Sequence, residues 1–303
     1  MNYEVILLRY GELSLKSTYV RKYFESMLQR NIKKALQLEN IPHNIRSEPG
    51  RIYLITADIS KCVEILPRIF GIVSFSPALQ TTSAMDDISR NALRLVNNKL
   101  TKQKSFAIRP TRVGSHPFSS QEVAVRIGND LVNATQARVN LTHPDIELFI
   151  EIRDKRSFLF TEKIHGVGGL PSGTQGRMIS LIENPSSLLA TWYLMRRGCN
   201  VIIVNTKKSN EHAIQPFLRH WYADAETIFV DPTTDEFYQN INTIASQNEC
   251  DALVTGHTLE EPVSSLSTIA YLKKTCNLPI LCPLIALTSE EIQQQCRKRG
   301  ILT

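Results

Sequence analysis

Five apolar stretches dominate the last third of the chain: MISLI at 178–182, NVIIVNT at 200–206, TIFVD at 227–231, DALVTG at 251–256 and PILCPL at 279–284. Each is strand-length, and each is separated from the next by enough residues for a helix. Strands so spaced cannot pair as hairpins; they must lie parallel, with crossover helices covering both faces of the sheet. The expected architecture is therefore a doubly wound α/β layer. Its first unit, GTQGRMISLIENPSSLLATWYLMRRG at 173–198, runs from a Gly-rich turn into a strand at Met178–Ile182. A helix follows from about Ser186 to Arg197, stopped by Gly198. Between them, where a phosphate-binding turn carries glycines and a hydroxyl, stand Glu183, Asn184 and Pro185. The frame of a nucleotide site is present and its loop chemistry is not.

Upstream the pattern changes. Residues 2–73 read strand (YEVILLRY), helix (TYVRKYFESMLQRNIKKALQLE), two strands around NIRSEPGRIYLIT, helix (KCVEILPRIF) and strand (IVSFSPAL), the ferredoxin-like order of a small α+β layer. In the first helix Tyr19, Tyr23, Met27, Ile32 and Leu36 recur at three-to-four spacing and define the expected buried stripe. Residues 80–166 repeat mixed α and β. In the strand SFAIRPTR, Phe106 and Ile108 share one face and Arg109 the other, and Arg112 follows an expected break at Pro110. Ser119 and Glu122 have capping-box spacing for the next helix. A basic strand end beside a helix N-terminus is an expected phosphate cradle, since both favour anions.

Charge divides the same way. Residues 1–170 carry 24 Lys and Arg against 16 Asp and Glu, a net of +8, while residues 171–303 carry 11 against 13, a net of −2. A basic front joined to a slightly acidic rear suits a phosphate-binding module attached to a differently tasked domain, although uneven surface charge alone is a sufficient bland reading. No apolar run is long enough to cross a membrane. The N-terminus reads as a strand rather than a signal peptide, so a cytoplasmic protein is expected. The six cysteines show no zinc spacing and read as buried small hydrophobes; no metal site is expected. His257, the Cys276 and Cys282 thiols and Asp251 read as an ordinary loop histidine, structural half-buried thiols and a solvated strand-end carboxylate.

The segments RYGELSLKS (9–17), IRPTR with HPFSSQEV, DIELFIEIRDKRSFLFTEKIHGVGGLPSGTQGRM, and DALVTGHTL with NLPILCPLIALTSEEI together resemble the tRNA 4-thiouridine synthetases, a family also tied to thiamine thiazole biosynthesis. The resemblance is collinear over essentially the whole chain. It implies a ferredoxin-like domain at 1–75, a THUMP RNA-binding domain at 76–168 and a PP-loop ATP pyrophosphatase-like domain at 169–303. In that family the front domains bind tRNA, the PP-loop domain adenylates a uridine near the acceptor end, and a persulfide-carrying cysteine beyond its core delivers sulfur. By that resemblance and the basic front half, Arg109 and Arg112 are the leading RNA-contact candidates; Arg9, Lys16, Lys155 and Arg156 are weaker ones.

Three departures bear on activity. The family's SGGxDS loop aligns with Ile182 to Ser187, so Glu183, Asn184, Pro185, Ser186 and Ser187 form a degenerate nucleotide loop with a carboxylate and a proline where pyrophosphate would sit. The pattern GESLGQ reads Gly256-His257-Thr258-Leu259-Glu260-Glu261, and Glu260 and Glu261 are expected to face the anion as further like charge. The given sequence ends at KRGILT, before the segment bearing the sulfur-transferring cysteine, and none of the six cysteines matches that position. The expected function is therefore tRNA binding in tRNA thiolation without independent ATP pyrophosphatase activity, with no catalytic residue assigned and no cofactor. The alternative is a working ATP- and Mg-dependent tRNA sulfurtransferase with a divergent loop. tRNA is the expected partner. A partner modification enzyme, a sulfur donor and homodimerisation are left open, and no membrane partner is expected.

Overall fold

The front of the chain builds one mixed sheet. A computed structural model describes residues 3–11, 17–260 and 262–301; the candidates Lys16 and Glu261 lie outside them. The first elements are β1 (Val5–Tyr10), α1 (Thr18–Leu38), β2 (Asn44–Glu48), β3 (Arg51–Ile55), α2 (Ile59–Ile65) and β4 (Ile72–Thr82). They are followed by α3 (Met85–Val96), β5 (Ser105–Val113), α4 (Ser120–Thr135), β6 (Arg138–Val139), β7 (Ile146–Arg153), β8 (Arg156–Phe160) and β9 (Ile164–His165). The strand order is β2-β3-β1-β4-β8-β7-β5-β6, with β9 pairing β4. β4 links the strand pairs of the ferredoxin-like segment to those of the THUMP-like segment.

Three local expectations are corrected. In α1 the buried stripe runs through Phe24, Met27, Leu28, Ile32 and Leu36, whereas Tyr19 is 84% exposed and Tyr23 46%. The tyrosines sit one helical step off the stripe, and Phe24 carries the apolar load. The second helix stops at Ile65, and a 3-10 turn, Leu66–Arg68, takes over where Pro67 lacks an N–H. β5 runs unbroken through Pro110 and pairs with β7 in continuous parallel register from Phe106↔Ile146 to Val113↔Arg153. Its other neighbour, β6, pairs only with Ser105 and Phe106. Pro110 therefore lies where that side of the strand has no paired neighbour, and its missing donor costs nothing.

The rear of the chain forms β10 (Arg177–Ile182), α5 (Ser187–Arg196), β11 (Asn200–Asn205), α6 (Glu211–His220), β12 (Thr227–Phe229), α7 (Phe237–Gln247), β13 (Ala252–Val254), α8 (Pro262–Thr275), β14 (Ile280–Leu281) and α9 (Ser289–Lys298). All five strands are parallel, in the order β12-β11-β10-β13-β14. The order reverses between β10 and β13, the switch point at which open α/β sheets hold ligands. One apolar cluster includes Leu188, Trp192, Ile203, Phe217 and Trp221. A second includes Ile179, Ile202, Ile241 and Leu253.

The chain divides into two compact units. The first holds residues 1–9, 36–64 and 74–165; the second holds 166–303 together with 10–35 and 65–73. Most of α1 thus packs with the rear unit: Phe24 clusters with Leu170, and the added Cβ of any residue at Gly71 would meet Pro171 and Leu28 near 3.0 Å. Trimming Phe24 to Ala opens this seam, and the expected loss is about 3–5 kcal/mol. A fragment ending at residue 168 removes Leu170 outright. It is expected to melt below the full chain in a calorimetric scan, and an equal or higher melting temperature would contradict this assignment.

Candidate nucleic-acid interface and closed nucleotide loop

In the first unit the two faces of β7 do different work. Leu148, Ile150 and Ile152 join the core beneath α3 and α4, with Phe106, Ile108, Val123 and Ile127. Glu147, Phe149, Glu151 and Arg153 alternate onto the other face. Because β5 is continuous, Arg109 (opposite Phe149) and Arg112 (opposite Ile152) point to opposite faces. The expected joint cradle therefore receives only Arg112, whose Nε donates to Ser120 Oγ at 3.3 Å. That hydroxyl begins α4, and the capping box closes as expected, Ser119 Oγ accepting from Glu122 N while the Glu122 carboxylate accepts from Ser119 N. Ser119 backbone and side-chain hydrogen bonds hold the Glu122 carboxyl below the usual range.

On the other face Arg109 is half-exposed, donating from Nε to Glu147 at 2.8 Å and from a terminal nitrogen to the Leu141 carbonyl at 2.7 Å. It borders an open groove with Thr111, Glu147, Phe149, Thr161 and Lys163. Lys163 Nζ sits 3.9 Å from the centroid of the Phe149 ring, a cation–π contact. Partial burial, then the Arg9 charge, lower the Lys163 pKa. Neither Phe149 nor Lys163 stands out in the sequence; only the strand register brings them beside Arg109.

The weaker candidates are less available. Arg9, with 15% of its side chain exposed, donates to Ser76 Oγ at 2.9 Å and lies 4.9 Å from the Phe160 ring centroid. Burial, together with the Arg51 and Arg153 charges, lowers its pKa to about 10. Arg156 pairs with Glu48 and stands over Tyr53 and Phe158. Lys155 is exposed in the turn between β7 and β8. At the centre Glu151 accepts from Arg51 at 2.8 and 2.9 Å and from Arg153 at 2.7 Å. Burial pushes the Glu151 pKa up, but the hydrogen bonds and charges of Arg51 and Arg153 outweigh it and hold the carboxyl below its usual value.

At the switch point of the rear unit the segment 183–186 forms a self-satisfied turn. Ser187 N donates to the Asn184 carbonyl and to Asn184 Oδ1, both at 3.1 Å. Leu188 N donates to the Pro185 carbonyl at 3.1 Å and Leu189 N to that of Ser186 at 2.9 Å. Ser186 Oγ also donates to Asn184 Oδ1. Glu183 Oε2 approaches His257 Nδ1 to 3.7 Å, bringing together the loops that follow β10 and β13. Gly256 has a steric role: a Cβ there would meet Ser187 Oγ at 2.8 Å and its Cα at 2.9 Å. Glu260 is turned elsewhere, contrary to expectation. Its carboxylate accepts from Ser289 N and Oγ at the start of α9, which lowers its pKa. Asp251 is an exposed carboxylate just before β13, as expected, and also accepts from Arg177 N at 3.0 Å.

All six cysteines are free and only Cys282 is not fully buried. No group of three or more His, Cys, Asp or Glu side chains able to hold a metal occurs among the described residues. No helix among them is long and apolar enough to cross a membrane.

Comparison with known proteins agrees with this architecture. The ThiI ferredoxin-like domain family matches residues 5–76, the THUMP domain family 82–162 and the family of the thiamine biosynthesis protein ThiI 218–302. A probable tRNA sulfurtransferase of Methanobrevibacter smithii is 32% identical, the alignment covering 96% of this chain and 85% of that protein. One from Methanothermobacter thermautotrophicus is 31% identical, covering 99% and 85%. A crystal structure of a Pyrococcus horikoshii protein superposes with a TM-score of 0.86 at 31% identity, covering 99% of this chain and all of that one. A 4-thiouridine synthetase solved with RNA and bound ATP gives 0.84 at 21% identity, covering 99% and 85%, and shares the fold. Ferredoxin-like, THUMP and parallel PP-loop-like parts thus define the class, and the chain belongs to the tRNA sulfurtransferase family.

Glu151→Gln removes the one buried anion among three guanidinium groups. Breaking such a buried cluster is expected to cost about 3–5 kcal/mol, read as a lower denaturation midpoint at neutral pH. Since the folded pKa of Glu151 is depressed, its stabilisation is present above the unfolded carboxylate pKa and is lost as pH falls through the folded value. The difference between parent and variant should therefore shrink in acid; a constant difference would contradict the assignment.

Proposed function

We propose that this chain is a tRNA-binding member of its family acting in tRNA thiolation, and that its own switch-point loop does not perform ATP pyrophosphatase chemistry. One observation carries the second half. The N–H groups of Ser187, Leu188 and Leu189, at the helix start where an anion would seek donors, already have acceptors in residues 184–186. Pro185 supplies none, and Glu183 adds a carboxylate beside them. A triphosphate entering here would have to break those bonds and meet like charge in a partly desolvated crevice, so the residues present do not fit the group.

Support for the first half is chemical. The +8 balance of the first 170 residues supplies long-range attraction for a polyanion. The Arg109, Lys163 and Phe149 groove combines cations with an aromatic face, which suits unpaired RNA better than duplex grooves that hide base edges. The relatives' name, tRNA sulfurtransferase, points to the same polymer. Arg112 and Ser120, on the opposite sheet face, form a second anion-favouring position at the start of α4.

Titration calorimetry of the purified chain with ATP and magnesium should show no saturable heat at millimolar nucleotide. A micromolar dissociation constant, about −8 kcal/mol, would overturn the closed-loop reading and favour a working sulfurtransferase with a divergent loop. For RNA, replacing Arg109 and Lys163 together with Glu should weaken binding of a tRNA transcript and flatten the dependence of log affinity on log salt by roughly one to two units. Thermal melting of the variant must match the parent. A well-folded variant that binds as tightly as the parent at every salt concentration would remove the groove from the interface.

A further inference from the structure

A cavity of about 180 Å³ in the second unit, where α1 faces the segment 221–224, is separate from both regions described above. It is on the order of the ~150 Å³ that admits a single aromatic ring. Phe70 and Trp221, stacked with centroids 5.3 Å apart, form its apolar wall; Asn31 and Asn200 line it with amides, and Arg30 and Lys34 with cations. Lys34 is paired with Asp224, whereas Arg30 is exposed and donates to Met27 Sδ, a weak acceptor.

One feature marks this cavity as more than a packing fault. Trp221 is 8% exposed, and its indole N–H, the ring's single hydrogen-bonding group, has no acceptor among the described residues. Buried indole N–H groups normally find one. Next to it Tyr222, with a left-handed φ of 50°, ends α6 in a Schellman turn, Ala223 N donating to the Leu218 carbonyl at 2.9 Å. Arg68 donates to the Tyr222 hydroxyl at 3.0 Å and lies 5.0 Å from its ring centroid, holding the side chain beside the cavity. Outside the cavity, α1 presents an exposed stripe of Tyr19, Lys22, Tyr23, Ser26, Arg30 and Lys33 at helical spacing, of which Arg30 also lines the cavity.

We propose that this cavity takes one unpaired nucleotide of a bound RNA. A planar base fills the space beside Trp221 and Phe70, offering its carbonyl or ring nitrogen to the indole N–H. The Asn31 and Asn200 amides supply the donors and acceptors that read a base edge. The phosphate meets Arg30 at the mouth. Binding is noncovalent: Cys199 lines the floor, but burial raises its pKa to about 11, so the thiol stays protonated. The inference rests on the RNA-binding reading for the source of the nucleotide, although the cavity chemistry would also suit a free mononucleotide.

The chain has two tryptophans, and Trp192 lies 5.6 Å from Trp221, so selectively excited tryptophan emission reports from this neighbourhood. The full chain is titrated with the four ribonucleoside 5′-monophosphates and with unstructured single-stranded RNA tetranucleotides. Saturable quenching is expected, at least tenfold tighter for RNA. Ala223→Leu, which fills the cavity, should abolish it; Arg30→Glu, on an exposed helix position that folding does not depend on, should weaken it at least fivefold. The cavity assignment is overturned by the absence of a saturable change with any probe up to about 10 mM, or by both variants quenching like the parent at equal melting temperature. Monophosphates binding as tightly as RNA would overturn the RNA source. Binding of a tRNA transcript is followed separately by anisotropy. Intact tRNA affinity without quenching sinks the cavity and leaves the proposed function standing, while quenching by monophosphates without tRNA affinity does the reverse.

Discussion

The backbone donors at the start of α5 decide what the rear unit can be. A parallel sheet with its order reversing between β10 and β13 aims a helix N-terminus at the crevice, and in such folds the free N–H groups and the helix dipole make an anion site without further chemistry. Here the turn 183–186 folds back so that its own carbonyls take those donors. Gly256 lets the β13 loop approach the Ser187 backbone closely, and Glu183 comes to rest near His257. Two loops far apart in the chain thus meet at one place beside the switch point.

The first unit depends on a different balance. A sheet face that carries Arg9, Arg51, Arg153 and Arg156 could not pack against Tyr53, Phe158 and Phe160 without counter-charge, since desolvated guanidinium groups repel one another. Glu151 and Glu48 supply it. The consequence for function is a sorting of cations: those paired inside hold the sheet, and those at the rim, Arg109 and Lys163 on one face and Arg112 on the other, keep reach toward a ligand. Net charge alone makes no such distinction, because it counts Arg9 and Lys163 equally.

Much of the architecture was legible beforehand. Alternation of apolar strands with helix-length gaps led to a parallel sheet, and β10, α5 and the Gly198 stop fall where the residues 173–198 place them, Gly198 having a φ of 92°. The capping box at Ser119 and Glu122 is a local signal with a local cause and could be read directly. Periodicity failed where two registers competed. Along α1 the tyrosines and Phe24 are equally apolar in pattern, and only packing against Leu170 selects Phe24. The break expected at Pro110 rested on the missing N–H, whose cost depends on whether a neighbouring strand needs it.

The site was less legible, for the same reason throughout. Residue identities alone determined that the nucleotide loop lacks glycine, that the front half is basic and that no cysteine is paired by spacing. Tertiary structure decided where charges point: Glu260 to Ser289 rather than to an anion, Asp251 to Arg177, Arg109 and Arg112 to opposite faces, and Lys163 to Phe149. A side chain's charge is a property of its residue, but its direction is set by register and by which backbone donors its neighbours leave unsatisfied, and those are fixed only when distant segments meet.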